Sequence, residues 1–170
     1  QAADGLHLLR LDQGLAGELY WGRAEYLRRR GVPAWGAFIN KEASAGGPCY
    51  DIGVHVLDMA LHLMGFPKPA TVSAGTYLKI AKRPSLMKHD PKKYTVPEDF
   101  AVALVRFEKG VTMTAECSWA ANIPAETGTV GVLGDKAGVF TEPLGVYGYT
   151  AGALTSTKFD WLPRQEGHRM

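Results

Sequence analysis

Four ionisable side chains recur at helical spacing in the first half of the chain: Asp51, His55, Asp58 and His62, at i, i+4, i+7 and i+11. At about 100° per residue they fall within an arc of roughly 60° on one helix. The residues between them are Ile, Gly, Val, Leu, Met and Ala only. Such a helix is expected to be buried almost all round, with one narrow polar stripe. A buried carboxylate or imidazole is costly unless it is paired or used, and three uses fit the spacing. Asp51 could sit in the favourable field of the helix N-terminus while Asp58 pairs with His55 or His62. An Asp and a His one turn apart could share a metal ion, but no Cys or His pair elsewhere completes a ligand set, and no metal is assigned. His55 could move a proton near neutral pH, tuned by a carboxylate one turn away. Spacing alone leaves all three open.

The elements that must position this stripe read as a helix followed by strands. Gly47 suits the N-cap and Pro48 the first helical position, where its missing N–H costs nothing. The helix runs to Met64, and Gly65 with Pro67 stops it. Ahead of it, residues 2–13 read as the tail of a helix and 18–27 as a strand, followed by a long loop through Arg28-Arg29-Arg30 to Gly46. After it come strands at 70–80, 99–107, 111–119, 127–133, 137–142, 145–150 and 154–159. Glu108-Lys109-Gly110 joins the second and third of these as a short hairpin with a left-handed turn residue. In 111–119 the odd positions are apolar and the even ones polar, so one face is covered. The pattern predicts an α+β fold, a largely antiparallel open-faced sheet with helices packed on one face.

Composition narrows the class. The chain has 170 residues, is 46% apolar and 21% charged, and carries a net charge of +2. That suits one soluble domain spanning 1–170, and the charge is too small to argue for nucleic acid or an anionic membrane. No apolar run reaches the roughly 18 to 20 residues of a membrane span, and no signal peptide is visible. Cys49 and Cys117 lie far apart without metal-ligand spacing, so a reducing cytoplasm is the expected location. The chain opens on Gln1 and closes on Met170 without a cap or turn, which suggests a piece of something longer.

The stretch Gly46-Gly47-Pro48-Cys49-Tyr50-Asp51-Ile52-Gly53-Val54-His55-Val56-Leu57-Asp58 resembles the signature of the glucose-fructose oxidoreductase / inositol dehydrogenase (Gfo/Idh/MocA) family. There a Gly-Gly run leads into a helix with Asp-x-x-x-His, often followed by Asp. Ala45 replaces the first glycine of the usual triple. Gly17-Glu18-Leu19-Tyr20, Arg23-Ala24, Gly65-Phe66-Pro67, Glu98-Asp99-Phe100 and Ser118-Trp119 agree as flanks. The resemblance implies the C-terminal substrate domain of a two-domain NAD- or NADP-dependent dehydrogenase of sugars or polyols. It makes His55 the group that takes the hydroxyl proton and Asp51 the carboxylate that orients substrate and assists it. The nucleotide and a Glu-Lys-Pro lysine belong to the N-terminal domain. Neither Glu-Lys-Pro nor Gly-x-Gly-x-x-Gly occurs in this sequence, and the isolated chain is expected to be inactive. By the same analogy, association as a homodimer or homotetramer is expected through the open sheet face.

Trp35, Lys41, Tyr50 and Asp58 are candidate substrate contacts, since aromatic faces and polar groups suit polyols. Trp119 reads as packing. The stretch 79–93 carries six Lys/Arg and His89 against one acid, Asp90, and reads as a solvated loop. The alternative function is a non-catalytic oligomerisation or ligand-binding domain, with the stripe a paired structural network.

Overall fold

The computed structural model describes residues 14–83, 86 and 88–158; the helix tail expected over 2–13 lies outside them. Eight strands form one sheet: β1 (Leu19–Leu27), β2 (Pro69–Tyr77), β3 (Phe100–Phe107), β4 (Thr112–Ser118), β5 (Thr127–Gly134), β6 (Ala137–Thr141), β7 (Leu144–Thr150) and β8 (Ala153–Lys158). Their spatial order is β2-β3-β4-β1-β5-β6-β7-β8. Every neighbouring pair is antiparallel except β1 with β4, which run parallel. The strand alternation in the sequence does not distinguish these two arrangements, because both bury every second residue. At the β3–β4 turn, Lys109 (φ 69°) and Gly110 (φ 90°) both take the left-handed conformation.

Two helices precede β2. The short α1 (Lys41–Ser44), in a stretch expected to be loop, is capped by Asn40, whose side chain accepts from Glu42 N. The longer helix begins as a π-helical turn, Cys49–Gly53, and continues as α2 (Val54–Leu63). Val56, Ala60 and Leu63, at i, i+4 and i+7, pack on Ala24, Met113, Val130, Val132 and Val139 of the sheet. A second apolar cluster closes one end of the sheet, with Ile52 of the π turn packed among Tyr94, Val96, Cys117 and Trp119.

The long helix is not buried all round, as its composition suggested. Tyr50 is 63% and Val54 43% exposed, and His55 and Asp58 lie on the surface. The reason is the layering: the helix covers the sheet on one side, and no described element lies over its outer side. The polar stripe therefore sits at an open boundary rather than inside a core.

Candidate active site

Asp51 lies within the π turn and is half-buried. Its Oδ2 accepts a hydrogen bond of 2.8 Å from Trp119 Nε1. Trp119 is fully buried, one residue past the end of β4, and packs edge-on against Tyr94 with ring centroids 6.3 Å apart. A buried indole N–H needs an acceptor, and here the acceptor is a carboxylate at the sheet end. Sequence reading assigned Trp119 to packing alone; it both packs and fixes one oxygen of Asp51. The apolar alternation of β4 placed the ring inside but carried no signal of what its N–H would meet.

The Gly-Gly run has a steric cause. A Cβ at Gly47 would come within 2.5 Å of the Glu98 carbonyl oxygen and 3.0 Å of its Oε1, and a Cβ at Gly46 would collide with the Tyr50 ring. Gly47 N donates to the buried Glu98 Oε1 at 2.8 Å. The loop entering the helix is thus locked against Glu98, a contact that sequence analysis missed. Next along, the carboxylate of Asp99, 1% exposed, accepts from Lys79 N (3.0 Å), Ile80 N (2.6 Å) and Ala81 N (2.7 Å). The Asp99 carbonyl accepts from Ser118 Oγ (2.7 Å) and Trp119 N (3.1 Å). Asp99 therefore ties the 79–81 turn to the residue that orients Asp51.

His55 stands on the first turn of α2, exposed, one turn after Asp51; Asp58 is exposed one turn further on. His62 is half-buried at the far end, with its ring edge-on to Phe66. Tyr50 is exposed on the π turn beside Asp51. Trp35, 67% exposed, meets Phe38 edge-on at 4.5 Å, and Lys41 is exposed with its backbone N–H donated to Thr95 Oγ1. Among the described residues, neither Trp35 nor Lys41 is joined to the motif helix by a hydrogen bond, ion pair or ring contact. The fold thus gathers Asp51, Tyr50, His55 and Asp58 on one helix, with Trp119 behind Asp51. No cluster of three or more His, Cys, Asp or Glu among the described residues could hold a metal ion.

The basic stretch is less free than expected. His89 is buried, with Nε2 at 2.8 Å from the Ala81 carbonyl oxygen and its ring against Tyr94. Tyr94 donates its hydroxyl to the Glu98 carbonyl at 2.6 Å. Burial and the nearby Asp99 and Glu98 carboxylates push its phenol far above the ordinary tyrosine value. Lys79, Lys82, Lys88, Lys92 and Lys93 remain exposed.

Residues 9–140 match the family model described as the GFO/IDH/MocA C-terminal domain. The chain is 40% identical over 145 residues to D-glucoside 3-dehydrogenase of Escherichia coli (strain K12), covering 83% of this chain and 41% of that protein. It is 27% identical over 124 residues to a putative UDP-kanosamine synthase oxidoreductase subunit of Amycolatopsis mediterranei (strain S699), covering 69% of this chain and 35% of that one. The fold is similar to that of levoglucosan dehydrogenase in complex with NADH and L-sorbose, with a TM-score of 0.70 and 21% identity over 89% of this chain and 43% of that one. It is also similar to aldose-aldose oxidoreductase of Caulobacter crescentus complexed with glycerol, with a TM-score of 0.69 and 20% identity over 95% and 46% of the two chains. The chain thus spans less than half the length of each of these proteins. With the model of the family's C-terminal domain matched along most of its length, and its Asp-x-x-x-His turn braced by a buried tryptophan, the chain belongs to the Gfo/Idh/MocA family.

Proposed function

We propose that this chain is the substrate-binding and catalytic part of an NAD- or NADP-dependent oxidoreductase that oxidises a secondary hydroxyl of a sugar, cyclic polyol or related hydroxy compound. The 40% identity to a D-glucoside 3-dehydrogenase puts glucosides first among these. The observation that carries the reading is the carboxylate of Asp51, held by Trp119 one turn ahead of the exposed His55.

The substrate hydroxyl donates to the His55 imidazole and passes its proton there as the carbon–oxygen bond becomes a carbonyl. Trp119 holds Oδ2 of Asp51, which leaves Oδ1 to accept from the substrate and orient it. Tyr50 and Asp58 flank this position on the same helix and contact the remaining ring hydroxyls. Trp35 and Lys41 reach the sugar only from the 28–47 segment, and their roles rest on that approach.

The nicotinamide, when bound, supplies hydride acceptance from the same carbon. This chain's own residues do not fit the dinucleotide phosphates. No two of its glycines stand two residues apart. At the Gly46-Gly47 entry to the helix, the Gly47 N–H is taken by a carboxylate that would repel a phosphate. The nucleotide is therefore assigned to the portion of the relatives that this chain does not span.

The open face of the sheet supports association as a homodimer or homotetramer. Gly22 faces α2, since a Cβ there would come within 2.8 Å of Met64 Sδ; Trp21, Arg23 and Glu25 therefore face away from it. On that open face Arg23 lies over the Trp21 ring at 5.5 Å, while its Nε and Thr114 Oγ1 are buried without a partner. No described helix is long and apolar enough to cross a membrane. We place the protein in the cytoplasm, where its two free thiols are kept reduced unless an oxidant reaches them.

The test is an oxidation assay of the protein together with its nucleotide-binding part, using methyl glucosides, free sugars and inositol with NAD⁺ and NADP⁺. Reduced nicotinamide should accumulate with at least one sugar or polyol. Silence across the series, in protein shown to bind the dinucleotide, would contradict the reading.

A further inference from the structure

Cys49 and Cys117, far apart in sequence, meet in the fold. Cys49 opens the π turn and is exposed; Cys117 lies on the helix-facing side of β4 and is buried. Both line one apolar cavity of about 140 Å³, together with Gly53, Val56, Leu57 and Ala115. Gly53, one helical turn after Cys49, sits directly on the second sulfur: a Cβ at Gly53 would lie 3.0 Å from Cys117 Sγ. The absence of that Cβ is what lets the turn carrying Cys49 close onto the strand carrying Cys117.

Facing each other across this cavity, the two thiols act on each other's ionisation in opposite directions. The neighbouring Cys117 thiol lowers the Cys49 thiol to about 7, against the opposing effects of burial and Glu98. Cys49, followed by burial, pushes the Cys117 thiol far up. The thiolate is the reactive form of a cysteine, and an accessible thiolate next to a second thiol is the arrangement that peroxide oxidises in two steps. Nothing in the proton-transfer role of His55 and Asp51 uses either sulfur.

We propose that Cys49 and Cys117 form a peroxide-responsive pair, in which Cys49 is the oxidised sulfur and Cys117 resolves it to a disulfide that clamps the π turn onto β4. In the first step the Cys49 thiolate attacks one oxygen of hydrogen peroxide. An S–O bond forms, the O–O bond breaks, and the hydroxide that leaves takes up a proton to become water. In the second, the Cys117 sulfur attacks the Cys49 sulfenic acid. The S–S bond forms, the S–O bond breaks, and the leaving hydroxide combines with the Cys117 proton as a second water. Two thiols are oxidised by two electrons and one peroxide is reduced to two waters.

The test needs no enzymatic activity, so it stands apart from the dehydrogenase reading. The reduced chain is treated with hydrogen peroxide at neutral pH, and free thiols, intact mass and the non-reduced peptide map are read. Both thiols should disappear together, with loss of two hydrogens, a Cys49–Cys117 cross-linked peptide and recovery on adding dithiothreitol. In Cys117→Ser, dimedone should trap a sulfenic acid at Cys49; in Cys49→Ser, Cys117 should stay reduced. The pH dependence of iodoacetamide alkylation of Cys49 should show its midpoint near 7 and move toward the ordinary thiol value of about 8.5 in Cys117→Ala. Two thiols surviving peroxide, or Cys49 passing to sulfinic acid while Cys117 remains free in the unsubstituted chain, would overturn the proposal. So would an alkylation midpoint that is the same with and without Cys117. The unsubstituted chain carries the decisive readouts even where a Cys117 variant folds poorly.

Discussion

Trp119 Nε1 donates to Asp51 Oδ2 at 2.8 Å, joining the end of β4 to the first turn of the motif helix. The indole is fully buried and the carboxylate half-buried, so the bond is partly screened by solvent. Its worth lies in direction as much as in energy: it fixes Oδ2 of Asp51, so that in the proposed reaction Oδ1 is the oxygen that meets the substrate.

Trp119→Phe keeps most of the packing and removes the donor. Unfolding in urea should show a loss of about 1 to 2 kcal/mol, the range for a hydrogen bond to a charged group discounted for partial exposure. In a double-mutant cycle with Asp51→Ala, which removes the acceptor, the two effects should fall short of additivity by a similar amount. Strict additivity would mean that the bond contributes nothing.

Asp99 is the other anchor. Its carboxylate collects three backbone N–H groups, and its carbonyl holds Trp119 N and Ser118 Oγ. Asp99→Asn turns one acceptor oxygen into a donor that faces backbone N–H groups. The expected cost is about 1 to 3 kcal/mol, visible as a lower denaturation midpoint with an unchanged slope. A variant as stable as the parent would show that the 79–81 turn rearranges freely.

Tyr94 gives a pH test with a definite sign. Its phenol is raised in the folded chain by burial and by Asp99 and Glu98, while in the unfolded chain it ionises near its ordinary value of about 10. Its contribution to stability is therefore fully present below about pH 10 and is lost above it, by up to about 1.4 kcal/mol per pH unit. Tyr94→Phe should lower stability at neutral pH by about 1 kcal/mol, through the lost bond to the Glu98 carbonyl, and should flatten the alkaline decline. Parallel alkaline curves for parent and variant would contradict this.

Much of the fold was legible in the residues. Alternation in Val111, Met113, Ala115 and Cys117 placed β4 and its covered face, and Pro48 and Gly65 marked the ends of the helix. The parallel pairing of β1 with β4 was not legible, because alternation reports which face is buried and not which way the neighbour runs. Nor was the exposure of Val54 and Tyr50, because a helix rich in apolar residues reads the same whether one side or both are covered. Asp51 and His55 stood out by spacing and by the motif around them. Trp119, Glu98 and Asp99 stand out only as flanks of that motif; what each holds is not legible, because each meets the site through a contact across the fold. By type and spacing alone, Glu98 and Asp99 look like ordinary surface acids at the start of a strand. The meeting of Cys49 with Cys117 likewise depends on where β4 lies, which neither position reveals alone.

The proposed role of His55 is to take the proton as a sugar hydroxyl is oxidised. It is tested most directly by comparing His55→Ala with the parent in the complete enzyme, read as the rate of nicotinamide reduction at saturating glucoside. Turnover should fall by about 10² to 10⁴, with binding of the dinucleotide unchanged. Turnover equal to that of the parent across the sugars tested would contradict it and remove His55 from the mechanism.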